Sequence, residues 1–507
     1  MSDPSPSSIP VRFERMLERR MKTAGLFAGP ALGLSVWLLN PGGHPPAGRR
    51  LLGVLVMAIC FWVTEAIPLP ATALLASALA IVCGVAPARA VLAPYADPII
   101  FLFIGSFLLA QAFRKYGVDR RVAALMLGSG TFGKSPAGLI AGFGFSSAAI
   151  STVLSNTATA ALMTPIAVGT VSRPHANSLT AQRAGPWASG LLLMVAYGAS
   201  IGGMATLIGT PPNLLVAGFL ERLAGVKVTF TAWLAFGLPL ALVLLAISIL
   251  WTRFALRKHL GFPVPEPQPE PPLEAAEAAA HRSGFRWTIA AFALAGLLWT
   301  LPSLAVAVLG ADSSVARALG ERLPEAGVAL LCAALLFVAP VNWAQRRFAM
   351  TWAEGHRVNW GIILLFGGGL SLGTMAETTG LARWAGEGIG SLGLSATPAG
   401  LLAVSIGVTI LVSEFASNTA AATLLVPVVI AAAQSAGFDP VRPALGVGLA
   451  ATCGFIFPVS TPPNAIVFGT GMVPLGRMIR LGILLDLASF FVIWIGLIAL
   501  TPLLPHS

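Results

Sequence analysis

Charge is what this sequence has least of. Only 10% of its 507 residues are Asp, Glu, Lys or Arg, against about 25% in a soluble domain. With 56% hydrophobic residues and a mean hydropathy of +0.83, the chain cannot hide its apolar surface from water and belongs in a bilayer. Cysteine is scarce too. Cys60, Cys83, Cys332 and Cys453 sit in apolar runs without metal-type spacing, which excludes a disulfide framework and a zinc site. The six histidines show no metal spacing, and no HExxH motif occurs. No apolar segment pairs a Ser with a Lys or His, so a membrane-embedded hydrolase has no nucleophile with a base. The polar, basic Met1–Lys22 stretch lacks the form of a secretory signal.

The long hydrophobic runs define eleven candidate transmembrane helices: 23–40, 51–66, 69–84, 97–115, 190–217, 232–256, 286–310, 325–342, 360–380, 440–472 and 481–503. Two further apolar stretches, 136–172 and 398–432, are broken by small and polar residues and read as re-entrant hairpins. A hairpin returns to its own side and leaves the topology unchanged. With the N-terminus inside, 22 of the 31 Lys and Arg residues fall on the cytoplasmic side and nine outside. The net charge of +11 is therefore a positive-inside signature, with no nucleic-acid partner implied. This topology places the C-terminus externally.

Residues 262–284 are rich in Pro and Glu and form a hydrophilic linker. The expected organisation is a cytoplasmic tail (1–22), a first helix and loop (23–50), repeat one (51–256), a cytoplasmic linker (257–285) and repeat two (286–503). Five crossings per repeat invert the second repeat relative to the first. The fold class expected is an all-α polytopic membrane protein, with eleven helices and two hairpins in two inverted repeats.

Two motifs recur in the same order. Ser155-Asn156-Thr157 returns as Ser417-Asn418-Thr419, and Gly209-Thr210-Pro211-Pro212-Asn213 as Ser460-Thr461-Pro462-Pro463-Asn464. Interrupted hydrophobic segments in corresponding positions of two halves point to a transporter's binding site near the bilayer midplane. Ser151 precedes Ser155 by four residues, and Ser413 precedes Ser417 by four. Hydroxyl, amide and backbone oxygens suit a small hard cation such as Na⁺. The paired prolines remove backbone donors and interrupt their helices, a break tolerated at membrane depth only in buried or cavity-lining backbone. The new helix N-termini can face an anion. No Lys or Arg occurs in 151–172, 202–217, 413–432 or 454–470. A bound anion would thus rely on hydroxyls, amides and helix ends, with co-bound Na⁺ supplying the positive charge. Glu65, Glu377 and Glu414 lie within or at the ends of apolar spans. Glu65, beside Pro68 and Pro70, reads as a helix-end hydrogen-bonding group, and Glu414 as a candidate for ion coupling or proton sensing.

Together with Trp62-Val63-Thr64-Glu65-Ala66-Ile67-Pro68-Leu69-Pro70 and Phe457 to Val467, these motifs resemble the divalent anion/sodium symporter (DASS) family of dicarboxylate, tricarboxylate and sulfate transporters. The resemblance covers nearly the whole membrane region. It implies a homodimer in a bacterial inner membrane, working as an elevator in which both hairpins and both broken helices slide together. It also implies a first Na⁺ site at Ser151, Ser155, Asn156 and the backbone near Gly209. The second would use Ser413, Ala416, Asn418 and the backbone near Ser460. The implied substrate contacts are Ser155, Asn156, Thr157, Ser417, Asn418, Thr419, Thr461 and Pro462. The complete second Ser-Asn-Thr leans toward a C4-dicarboxylate such as succinate, without an organic cofactor. A Na⁺-independent exchanger is the runner-up.

The charge bias generates a topology test. In a background without the four native cysteines, Glu274→Cys and Ser507→Cys should label from opposite faces of the membrane. Labelling from one face would remove the odd number of crossings.

Overall fold

In the computed structural model, residues 9–40, 43–128, 132, 135–171, 178–260, 275–310, 312–384 and 397–504 are described. Among them, nine helices are long and apolar enough to cross a membrane. The only strands among the described residues are Pro340–Asn342 and Arg347–Phe348, a short antiparallel ribbon. Residues 261–274 of the linker lie outside the described residues.

Proline sets where many of these helices begin. Pro98, Pro136, Pro211 and Pro398 open theirs, where the missing N–H costs nothing. At the two hairpins the starts match residue for residue. Ser135 accepts a hydrogen bond from Gly138 N–H and Thr397 one from Gly400 N–H, both at 3.0 Å. Each cap leads into a 16-residue arm, Pro136–Ser151 or Pro398–Ser413. Such an arm is about 24 Å long at 1.5 Å per residue, short of the roughly 30 Å hydrocarbon core. The chain turns at Thr152–Ser155 and at Glu414–Ser417, then returns as Asn156–Val171 and Asn418–Ser435.

The structure revises several spans. The stretch 190–217 is not one helix: Ser178–Met204 ends, the chain unwinds, and Pro211–Ala224 resumes. The stretch 440–472 is likewise split into Val441–Ala450 and Pro462–Phe468. The 325–342 span stops at Val338, because the chain leaves the helix for the ribbon that starts at Pro340. Leu69–Val82 and Glu325–Val338 have only 14 residues each.

Burial sorts the helices. The apolar window Gly185–Met204 is wholly enclosed, whereas only 17% of the window within His281–Leu309 is buried. The first is the central post of the structure and the second presents most of its side chains outward. Hairpin one rests on the post through small residues. A Cβ on Gly198 would come within 2.6 Å of the Gly144 carbonyl oxygen, and one on Gly202 would run into the Ala148 backbone. Small residues at such crossings let helix backbones approach closely.

Gly202→Ala should therefore force the hairpin off the post and cost about 1–3 kcal/mol, the usual range for overpacking. Gly169→Ala, which meets no atom within 4 Å, serves as the control. Thermal melting of the purified protein should fall for the first and not for the second.

Candidate cation and anion site

Each hairpin tip is fastened to a helix break. At the first tip, Ser151 Oγ donates to Asn156 Oδ1 at 2.9 Å. Gly203, in the last turn of the post, lies so close to Asn156 that a Cβ there would strike its amide oxygen. Gly209 closes back on Gly203, with 2.6 Å between its would-be Cβ and the Gly203 oxygen. The Thr206 hydroxyl donates to the Thr152 carbonyl at the tip. Ser151, Asn156 and Gly209 are thus gathered into one oxygen-rich cradle. Ser155 stands at its edge and accepts from Ala158 N–H at 3.3 Å.

The second tip repeats the construction. Ser413 Oγ lies 3.0 Å from Asn418 Oδ1 and 2.7 Å from the Ala451 carbonyl, to both of which it can donate. Gly454, the counterpart of Gly203, would place a Cβ 3.3 Å from the Ser413 oxygen and 3.1 Å from Ser460 Cβ. Ser413, Asn418 and Ser460 therefore form the second cradle, with Ala416 buried at the turn. Both cradles contain neutral oxygen groups of the kind a hard monovalent cation takes.

The candidate substrate residues differ in access. Thr157 and Pro462 are exposed, while Ser417, Asn418 and Thr419 are half-buried at the second tip. Thr461 is buried, and its hydroxyl accepts from Asn464 N–H at 3.3 Å as a helix cap. The repeats also interlock. The Pro462 helix packs on the return arm of hairpin one, and the Pro211 helix on the return arm of hairpin two. Each cradle is thereby tied to the other half of the chain. Helices begin at Asn156 and just after Gly209 beside one cradle, and at Asn418 and just after Ser460 beside the other. These ends carry partial positive charge.

Two features do structural work that the motif reading did not give them. Asn213 Nδ2 donates to the carbonyls of Gly203 and Thr206, at 2.9 and 2.8 Å. Asn464 Nδ2 donates to those of Gly454 and Phe457, at 2.9 and 3.0 Å. One amide thus holds each unwound segment closed. The signal in the sequence is the Asn that follows each Pro-Pro. Glu414 is the second feature. It is 2% exposed, and its carboxylate accepts from Ile456 N–H at 3.1 Å, from Phe457 N–H at 3.2 Å and from the Ser460 hydroxyl. Of the other two carboxylates, Glu65 ends the Pro46–Thr64 helix in a left-handed conformation, 3.7 Å from Lys22, and Glu377 is exposed.

A profile of the sodium:sulfate symporter transmembrane region matches residues 20–504. The chain belongs to that family. It is 31% identical over 477 residues to the sodium-dependent dicarboxylate transporter SdcS of Staphylococcus aureus, covering 92% of this chain and 89% of the relative. Among solved structures it resembles the YdaH transporter of Alcanivorax borkumensis, with a TM-score of 0.55, 17% identity and coverage of 82% and 87%. It also resembles MtrF of Neisseria gonorrhoeae, with a TM-score of 0.52, 14% identity and 80% of each chain covered. These two likenesses concern the fold. The chain is thus an integral membrane protein of a sodium symporter family, and its cradles lie where the duplicated motifs fall.

The amide clamps generate a prediction. Asn213→Ala and Asn464→Ala each remove two side-chain hydrogen bonds to the carbonyls of an unwound segment, of which Thr206 and Phe457 keep a backbone donor, a loss of about 1–3 kcal/mol. Each variant should melt lower than the parent and bind sodium more weakly. A variant with unchanged melting and sodium affinity would show that the clamp does not shape the cradle.

Proposed function

We propose that this protein is a Na⁺-coupled symporter of divalent organic anions, most suitably C4-dicarboxylates such as succinate. The observation that carries the proposal is the pair of matching cradles of hydroxyl and amide oxygens, one in each repeat, with no Lys or Arg in the segments that build them. A dianion brought to such a site meets only hydroxyls, amides and helix ends. Sodium bound in the two cradles, at Ser151, Ser155, Asn156 and Gly209 and at Ser413, Ala416, Asn418 and Ser460, balances its two charges. Ser155, Asn156 and Thr157 of one tip and Ser417, Asn418 and Thr419 of the other hold one carboxylate each, with Thr461 and Pro462 at the rim. The dicarboxylate named for the Staphylococcus aureus relative supports the same substrate class.

In this reading the two hairpins and two broken helices move as one body, an elevator giving alternating access. The interlocking of each proline-started helix with the other repeat's hairpin supports joint movement. The protein works as a homodimer in a bacterial inner membrane, N-terminus cytoplasmic and C-terminus external. It performs no catalysis and uses no organic cofactor.

Linkage makes the proposal testable. If sodium supplies the balancing charge, sodium and succinate must raise each other's affinity by the same factor. A coupling of about 5–150-fold is typical. Succinate binding to purified protein should tighten over a sodium series with choline replacement, and a monocarboxylate of similar length should bind far more weakly. Affinity indifferent to sodium would instead favour a Na⁺-independent dicarboxylate exchanger.

A further inference from the structure

Where the Pro98–Lys115 helix ends, far along the chain from either hairpin tip, a pocket of about 330 Å³ opens to the surface. Gln111, Arg114, Lys115, Met350, Glu354 and Arg357 line it. None of them belongs to a hairpin or to a broken helix. The segment that follows the ribbon is tied down across the helix end. Met350 N–H donates to the Leu336 carbonyl at 3.0 Å. Lys115 Nζ and the Tyr116 hydroxyl donate to the Ala349 carbonyl at 3.0 and 2.8 Å. Gln111 Nε2 donates to the Glu354 carbonyl at 3.1 Å. A Cβ on Gly355 would come within 2.8 Å of the Phe337 ring. These ties give the pocket a fixed shape.

Three cations in it face one carboxylate, and that carboxylate is already engaged. Glu354 Oε1 lies 2.7 Å from Lys115 Nζ, and its Oε2 accepts from the Thr351 N–H and hydroxyl at 2.9 and 3.0 Å. Asp119, the other carboxylate whose field reaches Arg114, is buried and accepts from Arg120 N–H at 2.8 Å. Among the described residues, neither Arg114 nor Arg357 forms an ion pair, and both are exposed. A guanidinium group is a planar fork that takes two phosphate oxygens at once.

The surroundings are those of a membrane interface. Arg114 and Lys115 close the apolar span Ala88–Lys115. In the adjoining segment Trp343 and Trp352 are 75% and 70% exposed, and Trp favours the headgroup level of a bilayer. The Glu325–Val338 helix, packed along Pro98–Lys115, exposes Leu331, Leu335 and Val338. A soluble anion would use the cations alone, whereas a phospholipid uses the cations and the apolar track together. The positive-inside orientation puts Arg114 and Arg357 on the cytoplasmic side, where the leaflet surface is anionic. We propose that this pocket binds the phosphodiester headgroup of an anionic phospholipid, held by Arg114 and Arg357, with the acyl chains along the exposed face of Glu325–Val338. The site requires only that the protein lie in a bilayer and takes nothing from the symport reading.

The experiment titrates the purified full-length protein in detergent with phosphatidylglycerol, phosphatidylcholine or soluble glycerol phosphate. Native mass spectrometry counts bound lipid, and thermal melting reports stabilisation. Phosphatidylglycerol should stay bound and raise the melting temperature, and the other two should do neither at matched concentration. Arg114→Gln with Arg357→Gln should weaken phosphatidylglycerol binding at least tenfold and leave the lipid-free melting temperature unchanged. Arg114→Lys with Arg357→Lys, which keeps the charge, should recover most of the affinity. Arg257→Gln with Lys258→Gln removes as much charge at another helix end and should bind like the wild type.

Phosphatidylglycerol held no better than phosphatidylcholine by the wild type would overturn the inference with no variant needed. An equal loss in the Arg257 and Lys258 variant would reduce the effect to general surface charge and overturn the pocket. Glycerol phosphate bound as tightly as phosphatidylglycerol would make this a soluble-phosphate site and overturn the lipid assignment.

Discussion

Every backbone polar group at membrane depth needs a partner, and this protein breaks its helices there twice. In hydrocarbon an unsatisfied N–H or C=O costs several kcal/mol. The unwound segments 205–210 and 451–461 survive because side chains answer for them. Asn213 and Asn464 each reach back over the break and satisfy two carbonyls. Glu414 and Asp486 collect three amides of the second break. The Pro-Pro pairs help by having no N–H to satisfy. Hairpin tips are brought to these breaks, so the groups that cap and clamp the backbone are neighbours of the groups able to bind ions. Building the site and stabilising it are one problem.

Much of this was legible because the chain repeats itself. Ser155-Asn156-Thr157 and the Thr-Pro-Pro-Asn run mark both tips and both breaks, and their duplication singles them out from ordinary membrane packing. A third duplication carries the same message: Ser135-Pro136-Ala137-Gly138-Leu139 and Thr397-Pro398-Ala399-Gly400-Leu401 start the two hairpins. Hydropathy alone blurred the breaks. Ala205, Leu207 and Ile208 are as apolar as the helices they separate, so 190–217 reads as one span. The early end of the span at Val338 is a local matter of Pro340 and the ribbon. Asp486 was invisible for a different reason. A lone Asp in an apolar helix does not announce which loop it faces, and only the fold puts it beside Glu414.

The close approach of hairpin one to its post depends on residues with no side-chain chemistry. Gly144, Ala148, Gly198 and Gly202 leave room for backbone against backbone. That seam holds Asn156 against Gly203, and hence the geometry of the first cradle. Hairpin two is seated differently. Gly446 meets the Leu402 and Ile406 side chains rather than bare backbone. The same motif is therefore supported by a tight small-residue seam in one repeat and by a bulkier apolar contact in the other.

This unequal support extends to electrostatics. At the first tip the Thr206 hydroxyl meets the Thr152 carbonyl, and every group in the cradle is neutral. At the second tip the corresponding position is Glu414, whose carboxylate binds the Ser460 hydroxyl that belongs to the cradle. A cation in the first cradle would, on the symport reading, be held by dipoles alone, whereas one in the second would have the buried Glu414 carboxyl group directly behind it. In a low-dielectric interior that difference is far larger than in water. On the symport reading, the second cradle fills at lower sodium concentration, and the first becomes stable once the dianion arrives to share its charge. A pseudo-symmetric framework can thereby impose an order of binding, because its two halves keep the same ligands and differ in the charge that stands behind them.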